Sequence, residues 1–191
     1  MTDTTNLIEQ TEREIGSKQI AAGEARTAVL RRRYPASIDD VWDACTDPER
    51  LRRWFLRVTG DLRLGGTFSF EGNASGEIVR CEPPRLLAVT WVYGDHPVDE
   101  VELRLSPGEE GETVLELEHA TVSDTTEFEG QLYDAVFGVG TGWDPALWAL
   151  DLYLRDELPE DLAERWRSGD FPPEVEDFFS RSAEAWTRVL G

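Results

Sequence analysis

Between Thr67 and Ala120 apolar residues recur at every second position, in run after run, and this pattern leaves few folds open. Phe68 and Phe70 share one parity in Thr67–Glu71, and Leu87, Val89, Trp91 and Tyr93 share one in Leu86–Tyr93. Val101, Leu103 and Leu105 repeat it, as do Thr113, Leu115, Leu117 and His119. Successive side chains of a strand point to opposite faces, so each run has one face for a core and one for water. Strands of that kind form antiparallel sheets. Glu77–Glu82 alternates too and stops at Pro83-Pro84, while Gly65-Gly66, Gly72–Gly76 and Pro107–Gly111 supply turn residues between runs.

A sheet with one apolar face needs a cover. The segment long enough to supply it is Trp143–Glu157, where Trp143, Leu147, Leu150 and Leu154 form a helical stripe with Ala146 on its flank and Thr141 or Gly142 near the N-cap. Upstream, Ala25–Tyr34 reads as a strand that ends at Pro35. Glu12–Ile20 reads equally as its partner across a turn at residues 21–24 or as a short helix. Two short helices follow. Ser37 caps the first, with Ile38, Val41, Trp42 and Cys45 on one face; Asp47-Pro48 opens the second, with Leu51, Trp54 and Phe55. The expected fold is α+β: an antiparallel sheet covered by a long C-terminal helix, with two short helices after an early strand.

The order divides the chain into a flexible N-terminal tail over residues 1–11, a domain over 12–157 and a helical C-terminal extension over 158–191. The extension reads as a short helix through Trp166, then a helix opened by Pro172-Pro173 with Phe178, Phe179, Ala185, Trp186 and Val189 as apolar contacts. Packing on the domain, closing a cavity and forming a homodimer contact are the roles open to it.

A formal net charge of −20 repels phosphate backbones and anionic headgroups, which argues against nucleic-acid and membrane partners. The runs Arg31–Arg33 and Arg50–Arg57 read as solvated faces or partners for carboxylates. No apolar run approaches the ~20 residues of a membrane span, and Met1–Gln10 has no signal-peptide core, so cytoplasm is the default location. The two Cys and two His lack metal-ligand spacing, so we expect no metal centre, and no motif calls for a cofactor.

Three segments resemble a known family. They are Tyr34–Phe55, with its strand end, Val41-Trp42 helix, Asp47-Pro48 corner and Trp54-Phe55 end; Gly76–Leu86 followed by Trp91; and Gly142-Trp143 ahead of Leu147 and Leu150. Over roughly residues 25–157 the chain resembles the START-like helix-grip superfamily, which includes polyketide cyclases. Within it the chain resembles the branch named after the C-terminal domain of the heat-shock ATPase activator. The resemblance implies a curved antiparallel sheet gripping the long helix around a cavity. It also brings a chaperone partner into consideration, although that activator's large N-terminal domain has no counterpart in this sequence.

Gripping geometry assigns the residues expected to face a ligand: Phe68, Phe70, Trp91, Tyr93, Leu103, Leu117 and His119 from the sheet, and Trp54, Phe55, Trp143, Leu147 and Leu150 from helices. The expected function is binding a small hydrophobic or amphipathic molecule, as a carrier or sensor. The alternatives are a cyclase- or aromatase-like enzyme, with His119 as its acid or base, and an interaction protein. A solid aromatic core with no ligand space is the plainer reading of the same residues.

Overall fold

The computed structural model describes residues 8–128, 130–159 and 173–191. Among them, β1 (Glu12–Ile20), β2 (Gly23–Tyr34), β3 (Val58–Gly60), β4 (Thr67–Phe70), β5 (Ser75–Glu82), β6 (Leu86–Trp91), β7 (Asp99–Pro107) and β8 (Thr113–Thr121) form one sheet in the order β1-β2-β8-β7-β6-β5-β4-β3. Every neighbouring pair is antiparallel. Register converts the alternation into continuous apolar rows. Leu30, Leu117, Leu103 and Leu87 stand opposite one another across β2, β8, β7 and β6. Ala28, His119, Val101, Val89 and Ile78 form the next row.

The other face is charged. Arg31 pairs with Glu116 and, at 2.8 Å, with Glu14; Arg104 reaches Glu116 at 2.8 Å. Strand alternation thus splits the basic run. Arg31 serves the outer face, whereas Arg32 turns inward, is 3% exposed and sits 3.5 Å from Asp151.

The helices α1 (Ile38–Thr46) and α2 (Pro48–Trp54) form where their caps dictate. Ser37 accepts from the Asp40 N–H, and Asp47 both ends α1 and accepts from the Arg50 N–H to start α2. The covering helix α3 (Ala135–Leu154) starts earlier than its apolar stripe. Its N-cap is Asp134, whose carboxylate accepts from Val136 at 2.9 Å, not Thr141 or Gly142. The glycines before Trp143 and the internal Pro145 read as helix breakers, but two of the glycines serve close packing. A Cβ at Gly140 would lie 2.2 Å from the Trp186 ring, and one at Gly138 would lie 2.4 Å from Thr126. Ahead of α3 stands a hairpin, β9 (Thr125–Phe128) with β10 (Gln131–Asp134), that the alternation did not announce. The buried Tyr34 hydroxyl ties β2 to α3 by donating to the Leu147 carbonyl at 3.0 Å.

Residues 12–20 are a strand rather than a helix, and the turn is tighter than expected, with Ile20 opposite Gly23. The end of the expected tail is anchored, since Ile8 and Thr11 are buried. The short helix read through Trp166 lies outside the described residues. Helix α4 (Pro173–Leu190) buries Val175, Phe178, Ser182 and Trp186, one face at helical spacing. It packs on α3 and β1 around a buried carboxylate. Asp144 accepts from Arg13 at 2.7 Å, from the Ser182 hydroxyl at 2.6 Å and from the Trp186 indole at 3.0 Å. No helix among the described residues is long and apolar enough to cross a membrane.

Candidate functional site

Between the sheet's apolar face and α3 lies a cavity of about 370 Å³. Helix α3 lines it with Trp143, Ala146, Leu147 and Leu150, positions that share one face. The sheet lines it with Phe68 and Phe70 from β4, Leu87, Val89 and Trp91 from β6, Val101 and Leu103 from β7, and Leu115 and Leu117 from β8. Helices α1 and α2 close the side with Trp42, Cys45, Leu51 and Trp54, and Phe55 follows them. The lining is overwhelmingly apolar. Trp54 turns its indole N–H away, onto the Ala44 carbonyl at 2.9 Å, so its ring enters the cavity without an unmet donor. Burial pushes the Cys45 thiol up to about 12, with Arg50 opposing, which keeps this wall uncharged.

A second cavity, of about 390 Å³, adjoins the first, and Phe55, Trp91 and Trp143 line both. These rings form a partition: Trp91 and Trp143 have centroids 5.2 Å apart, and Phe55 stacks on Trp143 at 6.0 Å. The second cavity's far wall is polar, with Asp99, His119, Thr121, Ser123, Thr125 and Thr126.

The partition is held by one hydrogen-bonded chain. The Trp143 indole donates to His119 Nδ1 at 2.9 Å, and His119 Nε2 lies 3.0 Å from Asp99 Oδ2. An indole N–H only donates, so Nδ1 carries the lone pair and Nε2 carries the hydrogen that Asp99 accepts. His119 is thereby a neutral imidazole of fixed tautomer, nearly buried, with both ring nitrogens engaged.

Of the residues expected to face a ligand, Trp54, Phe55, Phe68, Phe70, Trp91, Leu103, Leu117, Trp143, Leu147 and Leu150 line the apolar cavity. Tyr93 and His119 do not; they line the second. Tyr93 shares the parity of Trp91, but β6 ends at Trp91, so Tyr93 leaves the sheet and is 52% exposed. Asp99 was missed, although it shares the parity of Val101 and Leu103 and so had a readable signal. The described part of the extension, residues 173–191, lines neither of these cavities.

The chain is similar to CalU16 from Micromonospora echinospora, at 46% identity over 94% of this chain and 98% of that one, with a TM-score of 0.77. DynU16, from the dynemicin biosynthetic locus, shares the fold at 24% identity over 70% of this chain and 49% of that one, with a TM-score of 0.57. An HSP90 activator from Plasmodium falciparum, PFC0360w, shares it at 21% identity over 61% and 86% of the two chains, with a TM-score of 0.52. Comparison with curated proteins finds no match. The profile of the family described as "Activator of Hsp90 ATPase homolog 1-like protein" matches residues 35–155, from the end of β2 to the end of α3. The helix-grip architecture and this match over more than half of the sequence place the chain in that family.

Proposed function

We propose that this protein binds a small apolar or amphipathic molecule between its sheet and α3, as a carrier or sensor. The observation that carries the reading is the lining of the first cavity, whose walls are mostly aromatic and aliphatic, with Thr46 and Arg63 as polar members. Water enclosed there meets few hydrogen-bonding partners, so an apolar guest gains by displacing it and by burying its own surface. At about 25 cal/mol per Å², a guest that buries ~250 Å² gains roughly 6 kcal/mol before the costs of association. A biosynthetic small molecule suits such a chamber, and one fold neighbour comes from a biosynthetic locus.

A cyclase-like enzyme is the second reading, and the Asp99–His119 pair favours it. Asp99 orients the ring so that Nδ1 is the basic nitrogen, as a general base requires. Trp143 covers that nitrogen, however, so catalysis demands that the indole move aside. Turnover that survives His119→Ala unchanged would remove this reading.

Native mass spectrometry of the purified protein tests the first. A small molecule at one equivalent, released on denaturation, supports it. For protein that arrives empty, a thermal-shift screen against lipids, aromatic polyketides and acyl chains decides: stabilisation by one class supports the reading, and no response from any class overturns it.

A further inference from the structure

We propose that the second cavity seats the polar end of the same ligand, and that this end is a hydrogen-bond donor, a hydroxyl or an amine, received by Asp99. The inference deepens the proposed function and rests on it.

Adjacency is the first observation. Phe55, Trp91 and Trp143 line both chambers, so a molecule whose apolar body fills the first reaches the second where these rings move aside. The contrast in chemistry is the second. One chamber is apolar, whereas the other presents a carboxylate, an imidazole and several hydroxyls within about 390 Å³. Such a pair of chambers fits an amphipathic guest in one orientation only.

The state of Asp99 is the third. Its Oδ2 receives the His119 N–H at 3.0 Å, while its Oδ1 is buried and has no hydrogen-bond partner among the described residues. A buried acceptor left without a donor carries the full cost of its desolvation. A ligand O–H or N–H recovers that cost once the Asp99 side chain turns this oxygen into the second cavity that it lines. His119 offers nothing to an incoming acceptor, because Nε2–H is committed to Asp99 and Nδ1 to Trp143. The unspent capacity of the trio is therefore an acceptor, which selects donors. A ligand carboxylate meets repulsion from Asp99 and from a chain of net charge −20.

Four matched fluorescent probes test this on the full-length protein: 1-butylpyrene, 4-(1-pyrenyl)butanol, 4-(1-pyrenyl)butylamine and 1-pyrenebutyrate. The alcohol and the amine are expected to bind about tenfold or more tightly than butylpyrene, the scale of one hydrogen bond to a charged acceptor. Pyrenebutyrate is expected to bind no better than butylpyrene. Asp99→Ala should abolish the preference of the alcohol and the amine over butylpyrene. Wild-type selectivity decides the matter even if that variant fails to fold. Equal binding of all four probes, or a preference for the carboxylate, would overturn the donor site while leaving the apolar cavity in place. Binding of none would overturn the cavity reading and this inference with it.

Discussion

Replacing Asp144 with Ala should be among the most damaging single changes in the molecule, although it touches neither cavity. Arg13 is 5% exposed at its side chain and Asp144 2%, so their ion pair is buried. Removing one partner of such a pair leaves an uncompensated charge and costs about 3–5 kcal/mol. The Ser182 hydroxyl and Trp186 indole lose the same acceptor, but they belong to one network, so their losses do not simply add. A total of about 4 kcal/mol is a large share of the ~5–15 kcal/mol that holds a typical domain. With a urea slope of about 2–3 kcal/mol/M, the unfolding midpoint should fall by about 1.3–2 M. A double-mutant cycle with Arg13→Met sharpens the test. If the charge pair is the source of the cost, the two changes together should cost about 1–3 kcal/mol less than their sum. A midpoint loss under about 0.3 M, or additivity within about 0.5 kcal/mol, would refute the claim that Asp144 locks β1 and α4 onto α3.

The second and third predictions concern titration. With its thiol pushed up to about 12, Cys45 should react with iodoacetamide at pH 8 about three orders of magnitude more slowly than a free thiol; a rate near the free-thiol value would contradict that shift. Burial works against the charge of Asp134, but Arg26 and the first N–H groups of α3 outweigh it and hold the carboxyl below its ordinary range. A carboxyl lowered in the folded state stabilises the fold above its unfolded value, about 3.9, and loses that contribution as pH falls through the folded value. Asp134→Asn should therefore be less stable than wild type to urea at neutral pH and should converge on it in strong acid; a gap independent of pH would contradict the cap.

What could be read in advance followed from local periodicity. Leu103 and Leu117 had to share a face because each stands two residues from other apolar members of its strand, and the sheet then brought them opposite each other. Trp143, Leu147 and Leu150 were readable in the same way at helical spacing. The start of α3 was not, because Gly138 and Gly140 count against a helix unless Thr126 and Trp186 are known to press on them. Arg13 and Asp144 lie 131 positions apart, and no local pattern relates them. His119 was legible as an inward-facing polar residue. Its partners were not, since Asp99 and Trp143 come from different elements, and the division of the cavity follows from the rings they hold.

The central claim, that the space under the sheet admits an apolar guest, is tested most directly by following the indole N–H resonances during titration with 1-butylpyrene. Trp42, Trp54, Trp91 and Trp143 line the apolar cavity, whereas Trp148 and Trp186 lie outside it. Saturable shifts of the first group, with Trp148 and Trp186 unmoved, are the result expected of a guest in that chamber. Shifts confined to Trp148 and Trp186, or no shifts at all, would contradict it.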